Sequence, residues 1–321
     1  MLYTHPHTMP TGSTSHVMMV RPAHFKRNPQ TAESNAFQSP EMEESENYVQ
    51  EQALYEFDNF VLMLRQHGVT VNVIQDTPEP VKPDAIFPNN WVSFHENGRV
   101  ITYPLEAPNR RLERRSGIFE LLERGYQIRD RIDLTYWEEE GIFLESTGSL
   151  IFDRIHKIAY ACLSSRTQQE VFADFEAQTM FRVVPFHGTD TDGLPIYHTN
   201  VMMCIAQDFV VICMEAVRDP KEREMLETLF AKTGKEVVTI TTAQMLSFAG
   251  NMLELVNDKQ ERLLVMSEQA YHALYPEQIA FIQSRCIIVN PPLYTIEKYG
   301  GGSARCMIAE VFLPLREEAP V

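Results

Sequence analysis

The feature that most narrows what this chain can fold into is a unit that recurs along it: two short apolar strands joined as a hairpin, then a helix, then a further strand. From Trp91, WVSFHENGRVITYP reads as two strands around the turn signal Glu96-Asn97-Gly98, followed by a helical pattern over 112–124 and the strand-like YQIRDRI. From Leu144, LESTGSLIFDRIHKIAYACL turns near Asp153-Arg154, 167–177 is helical and 182–186 is a strand. From His198, HTNVMMCIAQDFVVICMEAV turns at Gln207-Asp208, and a helix over 220–232 leads to EVVTI. A fourth unit runs from 247 through GNMLELVNDKQERLLVM, a helical stretch to Ser284, and CIIVN. The run CMIAEVFLP from Cys306 opens a fifth, which the early strand HVMMV, a helix over 49–67 and the strand VTVNVI complete from the other end of the chain.

The units start at Trp91, Leu144, His198, Phe248 and Cys306, roughly 50–58 residues apart, which is the spacing of a propeller or solenoid. Two chain ends sharing one unit favour a closed ring, with helices outside and strand starts facing a common axis. A doubly wound α/β domain also alternates strands and helices, but it needs no hairpin in every unit. The expectation is therefore an α/β protein, with a flexible segment over 1–15 and a single propeller domain over 16–321.

Composition limits the partners. With 44% hydrophobic residues the chain can bury a large core, and a formal charge of -16 disfavours capture of nucleic acid or an anionic membrane. Small molecules are the expected partners. Five cysteines with no CxxC pair point to neither a disulfide framework nor a cysteine zinc site. The polar opening segment lacks the pattern of a secretory signal, and no apolar run approaches the ~20 residues of a membrane span, so a cytoplasmic location is expected. Oligomeric state is not legible.

Polar, chemically capable residues stand at the starts of equivalent strands: Asn89 and Asn90, Glu145, His198 and Asn200, Asn251, and Cys306. In a ring these positions converge. A cysteine, a histidine and a carboxylate in one pocket supply a nucleophile, an acid/base and a group that orients the histidine. Taken alone, each residue has a blander reading: a buried small cysteine, a core histidine, a solvated glutamate. Three glycines before Cys306 give a closely approachable backbone, and Arg305 beside it favours a thiolate, so a partly exposed, reactive thiol is expected there. The cluster Arg110, Arg111, Arg114 and Arg115 reads either as a solvated helix start or as a means of holding a substrate carboxylate.

Six segments in order, FPNNWVSFH, APNRRLERR, LESTGSLIFDR, LSSRT, YHTNVMM and GGGSARCM, resemble the guanidino-group-modifying, or pentein, superfamily. That superfamily includes arginine deiminases, dimethylarginine dimethylaminohydrolases and amidinotransferases. RPAHF and NPQTAESNAFQ further resemble the citrulline-utilization hydrolases, a group also called amidinotransferases. The resemblance implies a five-bladed ββαβ pseudo-fivefold propeller and no cofactor or metal. It implies Cys306 as the nucleophile, His198 as proton donor and then base for water, and Glu145 as the group holding His198 or a substrate nitrogen. Arg111 and Arg166 would bind the amino-acid carboxylate, and Asp84 matches the aspartate that opens the family's D-x-x-F segment.

The departures are informative. Where arginine deiminases carry two guanidinium-binding aspartates, this chain has Asn90 and Asn200. An amide donates as well as accepts, which suits a neutral ureido group, although Asp84 or Glu145 can still supply charge. The expectation is a hydrolase converting citrulline to ornithine, carbon dioxide and ammonia. Arginine deiminase, methylarginine hydrolase and amidinotransferase activities are the alternatives, and a catalytically silent, ligand-binding propeller is the alternative of another class.

Overall fold

Short β-branched and aromatic runs, each closed by turn residues, pair into five three-stranded sheets. The computed structural model describes residues 12–316, apart from 33, 34, 36 and 40. Strand β1 (His16–Arg21) runs parallel to β2 (Thr70–Gln75), with α1 (Glu46–Gln66) between them. Next come the hairpin β3 (Val92–Phe94) and β4 (Arg99–Thr102), helix α2 (Ser116–Leu122) and β5 (Asp130–Asp133), which lies parallel to β4. The third sheet follows a short turn α3 (Ser146–Ser149) and contains β6 (Leu150–Asp153), β7 (Ile158–Cys162) and, after α4 (Phe172–Thr179), β8 (Arg182–Phe186). The fourth follows α5 (Thr199–Met202) with β9 (Met203–Ile205), β10 (Phe209–Ile212), α6 (Pro220–Lys232) and β11 (Glu236–Thr239).

In the fifth, α7 (Thr242–Leu246) precedes β12 (Leu253–Val256) and β13 (Arg262–Val265), while α8 (Glu268–Ala273) and α9 (Pro276–Gln283) lead to β14 (Ile287–Val289). After α10 (Tyr294–Gly300), β15 (Ala309–Glu310) pairs antiparallel with β1, so the two ends of the chain share one sheet as the repeat requires. Each unit is an antiparallel hairpin whose second strand takes a parallel partner after a helix. This is the five-bladed ββαβ propeller.

Local chemistry explains the elements. Gly98, at φ +82, supplies the left-handed position that turns β3 into β4. Ser45 caps α1, and Asp219 caps α6 with Pro220 at its first position. Helix α1 buries Val49, Ala53, Phe57, Phe60 and Leu64, a stripe of helical period that packs with Val17, Met19 and Val71 of the first sheet. Strands β7 and β10, each central in its sheet, are buried along their whole length.

Two helices differ from expectation. The 112–124 segment is a 3-10 turn over Pro108–Glu113 followed by α2, because Arg114 leaves the helical region and forks onto Glu138. The stretch before Ser284 is divided into α8 and α9 by Pro276, which cannot continue a helix from its N-terminal side. Of the segment 1–15 expected to be flexible, 1–11 lie outside the described residues. Ser13 donates to Glu254 at 2.9 Å, and Thr14 Oγ1 donates to the Val311 carbonyl at 3.0 Å. Among the described residues no helix is long and apolar enough to cross a membrane.

Candidate active site

The turn before the first strand of each hairpin is the element that builds the site. These turns are Pro88–Asn90, α3, α5, the bend ending at Asn251 and the bend carrying Cys306. Hydrogen bonds lock one turn to the next: Thr147 Oγ1 to the Asn89 carbonyl (3.1 Å), Thr199 Oγ1 to the Ser149 carbonyl (2.5 Å), Asn251 Nδ2 to the Asn200 carbonyl (3.0 Å) and the Arg305 N–H to Asn251 Oδ1 (3.0 Å). Glu145 and His198 occupy the same place in their turns, the residue just before α3 and α5. Equivalent chain positions thus deliver different side chains to one centre.

Asp84, Asn90, Arg110, Arg166, His198 and Cys306 line a single small cavity, walled also by Phe87 and Tyr197. Glu145, Asn200 and Asn251 stand behind it, in contact with His198 and Cys306. His198 Nε2 lies 2.8 Å from Glu145 Oε2. Asn200 Nδ2 and Asn251 Nδ2 point at Cys306 Sγ from 3.3 and 3.2 Å. Asn89 is one step further out, accepting from Asn90 Nδ2 at 3.0 Å. The cavity wall therefore brings together most of the residues singled out from sequence.

Burial alone would raise the Glu145 carboxyl, but Arg166, the hydrogen bond from His198 and the Arg110 charge pull it down to about 2. Burial pushes His198 below the ordinary histidine range even though Glu145 opposes that shift. An ionised Glu145 can only accept, so it receives the Nε2–H, and a neutral His198 keeps its lone pair on Nδ1. That pairing can take up and release a proton. Gly148 makes room for it, since a Cβ there would stand 2.5 Å from Asn90 Nδ2 and 2.9 Å from His198 Nδ1.

Three placements differ from the sequence expectation. Arg111 lies outside the cavity, bonded to the Leu105 and Glu106 carbonyls and facing Glu138, and Arg110 takes the place beside the site. In the 3-10 turn Pro108–Glu113 successive side chains point about 120° apart, so adjacent arginines face different surroundings. Arg110 is buried and forks onto Glu113 at 2.9 and 3.0 Å, while reaching Asn90 Oδ1 at 2.6 Å. Burial works against its charge, but Glu113, Asp84 and Glu145 outweigh that and hold it protonated. The spacing Arg110-x-x-Glu113 was the available signal.

Arg305 turns its guanidinium away from the cavity that Cys306 lines: it bonds Glu310 at 2.9 Å and the Ile308 carbonyl at 3.0 Å, in a second cavity shared with Cys204. Cys306 is 4% exposed rather than partly open, because Phe87 packs over Gly300 and Gly302; a Cβ on Gly302 would stand 2.8 Å from that ring.

Residues not singled out from sequence complete the walls. Asn28 Nδ2 and Thr31 Oγ1 both donate to Asp84 Oδ2, at 2.7 and 3.2 Å, leaving Asp84 Oδ1 buried without a hydrogen-bond partner. Arg166 donates to Glu106 (3.1 Å) and the Thr31 carbonyl (3.2 Å) and lies over the Tyr197 ring at 5.1 Å. Among the described residues, no group of three His, Cys, Asp or Glu side chains is placed to hold a metal ion.

Comparison with known proteins agrees with this geometry. A family model described as N,N dimethylarginine dimethylhydrolase, eukaryotic, matches residues 21–313. No curated protein sequence matches the chain. Among solved structures, the N-terminal domain of ArgZ, an arginine dihydrolase from the ornithine-ammonia cycle in cyanobacteria, superimposes with a TM-score of 0.72 at 16% identity, covering 93% of this chain and 98% of that one. AgrE in complex with L-arginine gives 0.72 at 16% identity over 94% of this chain and 41% of that one. A dimethylarginine dimethylaminohydrolase adduct with S-methyl-L-thiocitrulline gives 0.64 at 14% identity, over 93% and 99%. The chain belongs to the N,N-dimethylarginine dimethylhydrolase family, guanidino-modifying hydrolases of the pentein superfamily that act on non-peptide C–N bonds.

Proposed function

We propose that the protein is a cysteine-dependent hydrolase of the ureido group of a free amino acid, with citrulline converted to ornithine, carbon dioxide and ammonia. The observation that carries this reading is the setting of Cys306: two amide N–H₂ groups, from Asn200 and Asn251, approach its sulfur. A ureido group enters the site neutral and brings a carbonyl oxygen that needs donors, which amides provide and carboxylates do not. Asn200 Oδ1, buried and without a hydrogen-bond partner, is an acceptor for a substrate N–H.

The reaction follows from these positions. The Cys306 thiol passes its proton to Nδ1 of the neutral His198 as its sulfur adds to the ureido carbon, forming a C–S bond. The bond from that carbon to the ornithine nitrogen then breaks as His198 supplies a proton, leaving a carbamoyl thioester. Water, its proton taken by His198, attacks the thioester, the C–S bond breaks, and the released carbamate decomposes to carbon dioxide and ammonia. Glu145 keeps the imidazole oriented and stabilises its charged form. Arg110 and Arg166 offer the positive charge for the amino-acid carboxylate, and Asp84 Oδ1 is the acceptor for a substrate ammonium or N–H.

A second reading, a guanidinium substrate such as arginine, is favoured by the same unpartnered oxygen of Asp84, a buried carboxylate facing the cavity. ArgZ and AgrE, described as an arginine dihydrolase and as binding L-arginine, agree with it. Specificity constants for citrulline, arginine and N,N-dimethylarginine, with ornithine, citrulline and ammonia measured as products, separate the two. The ureido reading predicts that citrulline is preferred by at least about 100-fold and that Asn90→Asp with Asn200→Asp narrows the gap. A parent enzyme that prefers arginine overturns it in favour of the second reading.

A further inference from the structure

Glutamate is rarely buried without a cation beside it. Glu297 is such a case: it sits on α10, 2% exposed, and among the described residues no lysine, arginine or histidine pairs with it. Its neighbour Lys298 turns outward to Glu43 and Glu44. Glu297 Oε1 accepts the Ser303 hydroxyl at 2.5 Å, and Oε2 has no hydrogen-bond partner. Ser303 is a joint. Its side chain is tied to Glu297, while its carbonyl accepts the N–H of Cys306 at 3.0 Å and of Met307 at 3.3 Å. The intervening chain leaves α10 through Gly301, at φ +63. A carboxylate on a helix end is thus linked through one serine to the turn that presents the thiol.

We propose that Glu297 is a positioning residue for Cys306, acting through Ser303, and that gain or loss of its proton sets how firmly the thiol-bearing turn is held. The proposal rests on the reading of Cys306 as nucleophile. Burial pushes the Glu297 carboxyl up to about 7, the hydroxyls of Ser267 and Ser303 oppose that shift, and the charge of Glu56 on α1 adds to it. Glu56 itself is engaged with the N–H groups of Thr295 and Ile296, at 2.8 and 3.0 Å. On its own helix the titratable groups are Tyr294, which donates to Glu268, together with Tyr299 and the outward Lys298. An ionised Glu297 accepts a charge-assisted bond from Ser303; a protonated one accepts a weaker neutral bond. The turn is therefore held more firmly above neutrality than below it.

The test measures two rates from roughly pH 5.5 to 9: turnover, and alkylation of Cys306 by iodoacetamide mapped on its peptide. Dividing wild-type by Glu297→Gln rates cancels the ionisations of Cys306 and His198, which both proteins share. The proposal predicts a ratio near one in acid that rises about fivefold through pH 7, since glutamine mimics the protonated state. Dividing by Ser303→Ala should give the same step, and that variant carries the test where Glu297→Gln fails to fold. A ratio independent of pH in both measurements would overturn the proposal and leave Glu297 a packing residue. Cys306→Ala separates the two claims: retained turnover in that variant removes the nucleophile reading, whereas the alkylation step in the other proteins reports on the Glu297 link by itself.

Discussion

Cys306 and Cys204 are withdrawn from water to nearly the same degree, 4% and 2% exposed, yet their surroundings differ in kind. Cys204 lies in β9 and lines the second cavity with Glu254, Arg305 and Glu310, and burial pushes its thiol up to about 12, as burial does for Cys162 and Cys286. Cys306 meets two amide donors and a polar cavity that also holds His198. Exposure, the property by which a reactive thiol is usually sought, does not separate them. What separates them is which dipoles reach the sulfur.

The strongest way to break this comparison is to remove each thiol. Cys306→Ala should lower turnover by about 10⁴-fold or more, because the nucleophile is lost while the cavity remains. Cys204→Ala should keep turnover within about twofold and lower the unfolding free energy by about 1 kcal/mol, read from denaturant melts. Equal losses of turnover would show that the two sites do not differ as described.

The same logic applies to a pair of adjacent arginines. Arg110 is buried against Asn90 and Glu113, whereas Arg111 is partly exposed on carbonyls outside the cavity. Arg110→Ala should cost about 2–5 kcal/mol in kcat/KM through loss of a buried, hydrogen-bonded charge, and Arg111→Ala less than about 1 kcal/mol. A larger loss at Arg111 would return the carboxylate-binding role to it.

This pair also shows where the sequence stopped being legible. The five hairpins, their turns at Asn97-Gly98 and Gln207-Asp208, and the sheet shared by the two ends are visible as alternation and turn chemistry, which are local properties. Glu145, His198, Asn200, Asn251 and Cys306 could be found because they occupy like positions in successive turns. Arg110 could not be told from Arg111, since a one-residue phase in a 3-10 turn is set by packing. The direction of Arg305 depends on Glu310 in a strand that pairs with β1 at the far end of the chain. Asn28 and Thr31 reach Asp84 across more than 50 residues with no motif to announce it.

A third pair sharpens the comparison in protonation. Glu145 and Glu297 are both buried, but Arg166, His198 and Arg110 hold the first at about 2, while burial pushes the second, which has no cationic partner among the described residues, up to about 7. The signs of their stability contributions are opposite. Glu145, lowered in the folded state, contributes stability that is present above its unfolded value near 4.5 and is lost as pH falls toward 2. Glu297, raised in the folded state, contributes stability that is present below about 4.5 and is lost as pH rises through 7. Wild-type minus Glu145→Gln unfolding free energies should therefore shrink by up to about 3 kcal/mol between pH 5 and 2, and wild-type minus Glu297→Gln should shrink by a similar amount between pH 4 and 8. Parallel rather than opposed trends in urea titrations would contradict the assignment of neighbours as the deciding influence.

The central claim, that Cys306 attacks a ureido carbon held by amides, is most directly tested by trapping the intermediate. Enzyme mixed with citrulline, quenched in acid during steady turnover and digested, should yield a carbamoyl group on the peptide containing Cys306, absent from the peptides of the other four cysteines. Release of ornithine and ammonia with no adduct at Cys306, or an amidino adduct formed only from arginine, would contradict it.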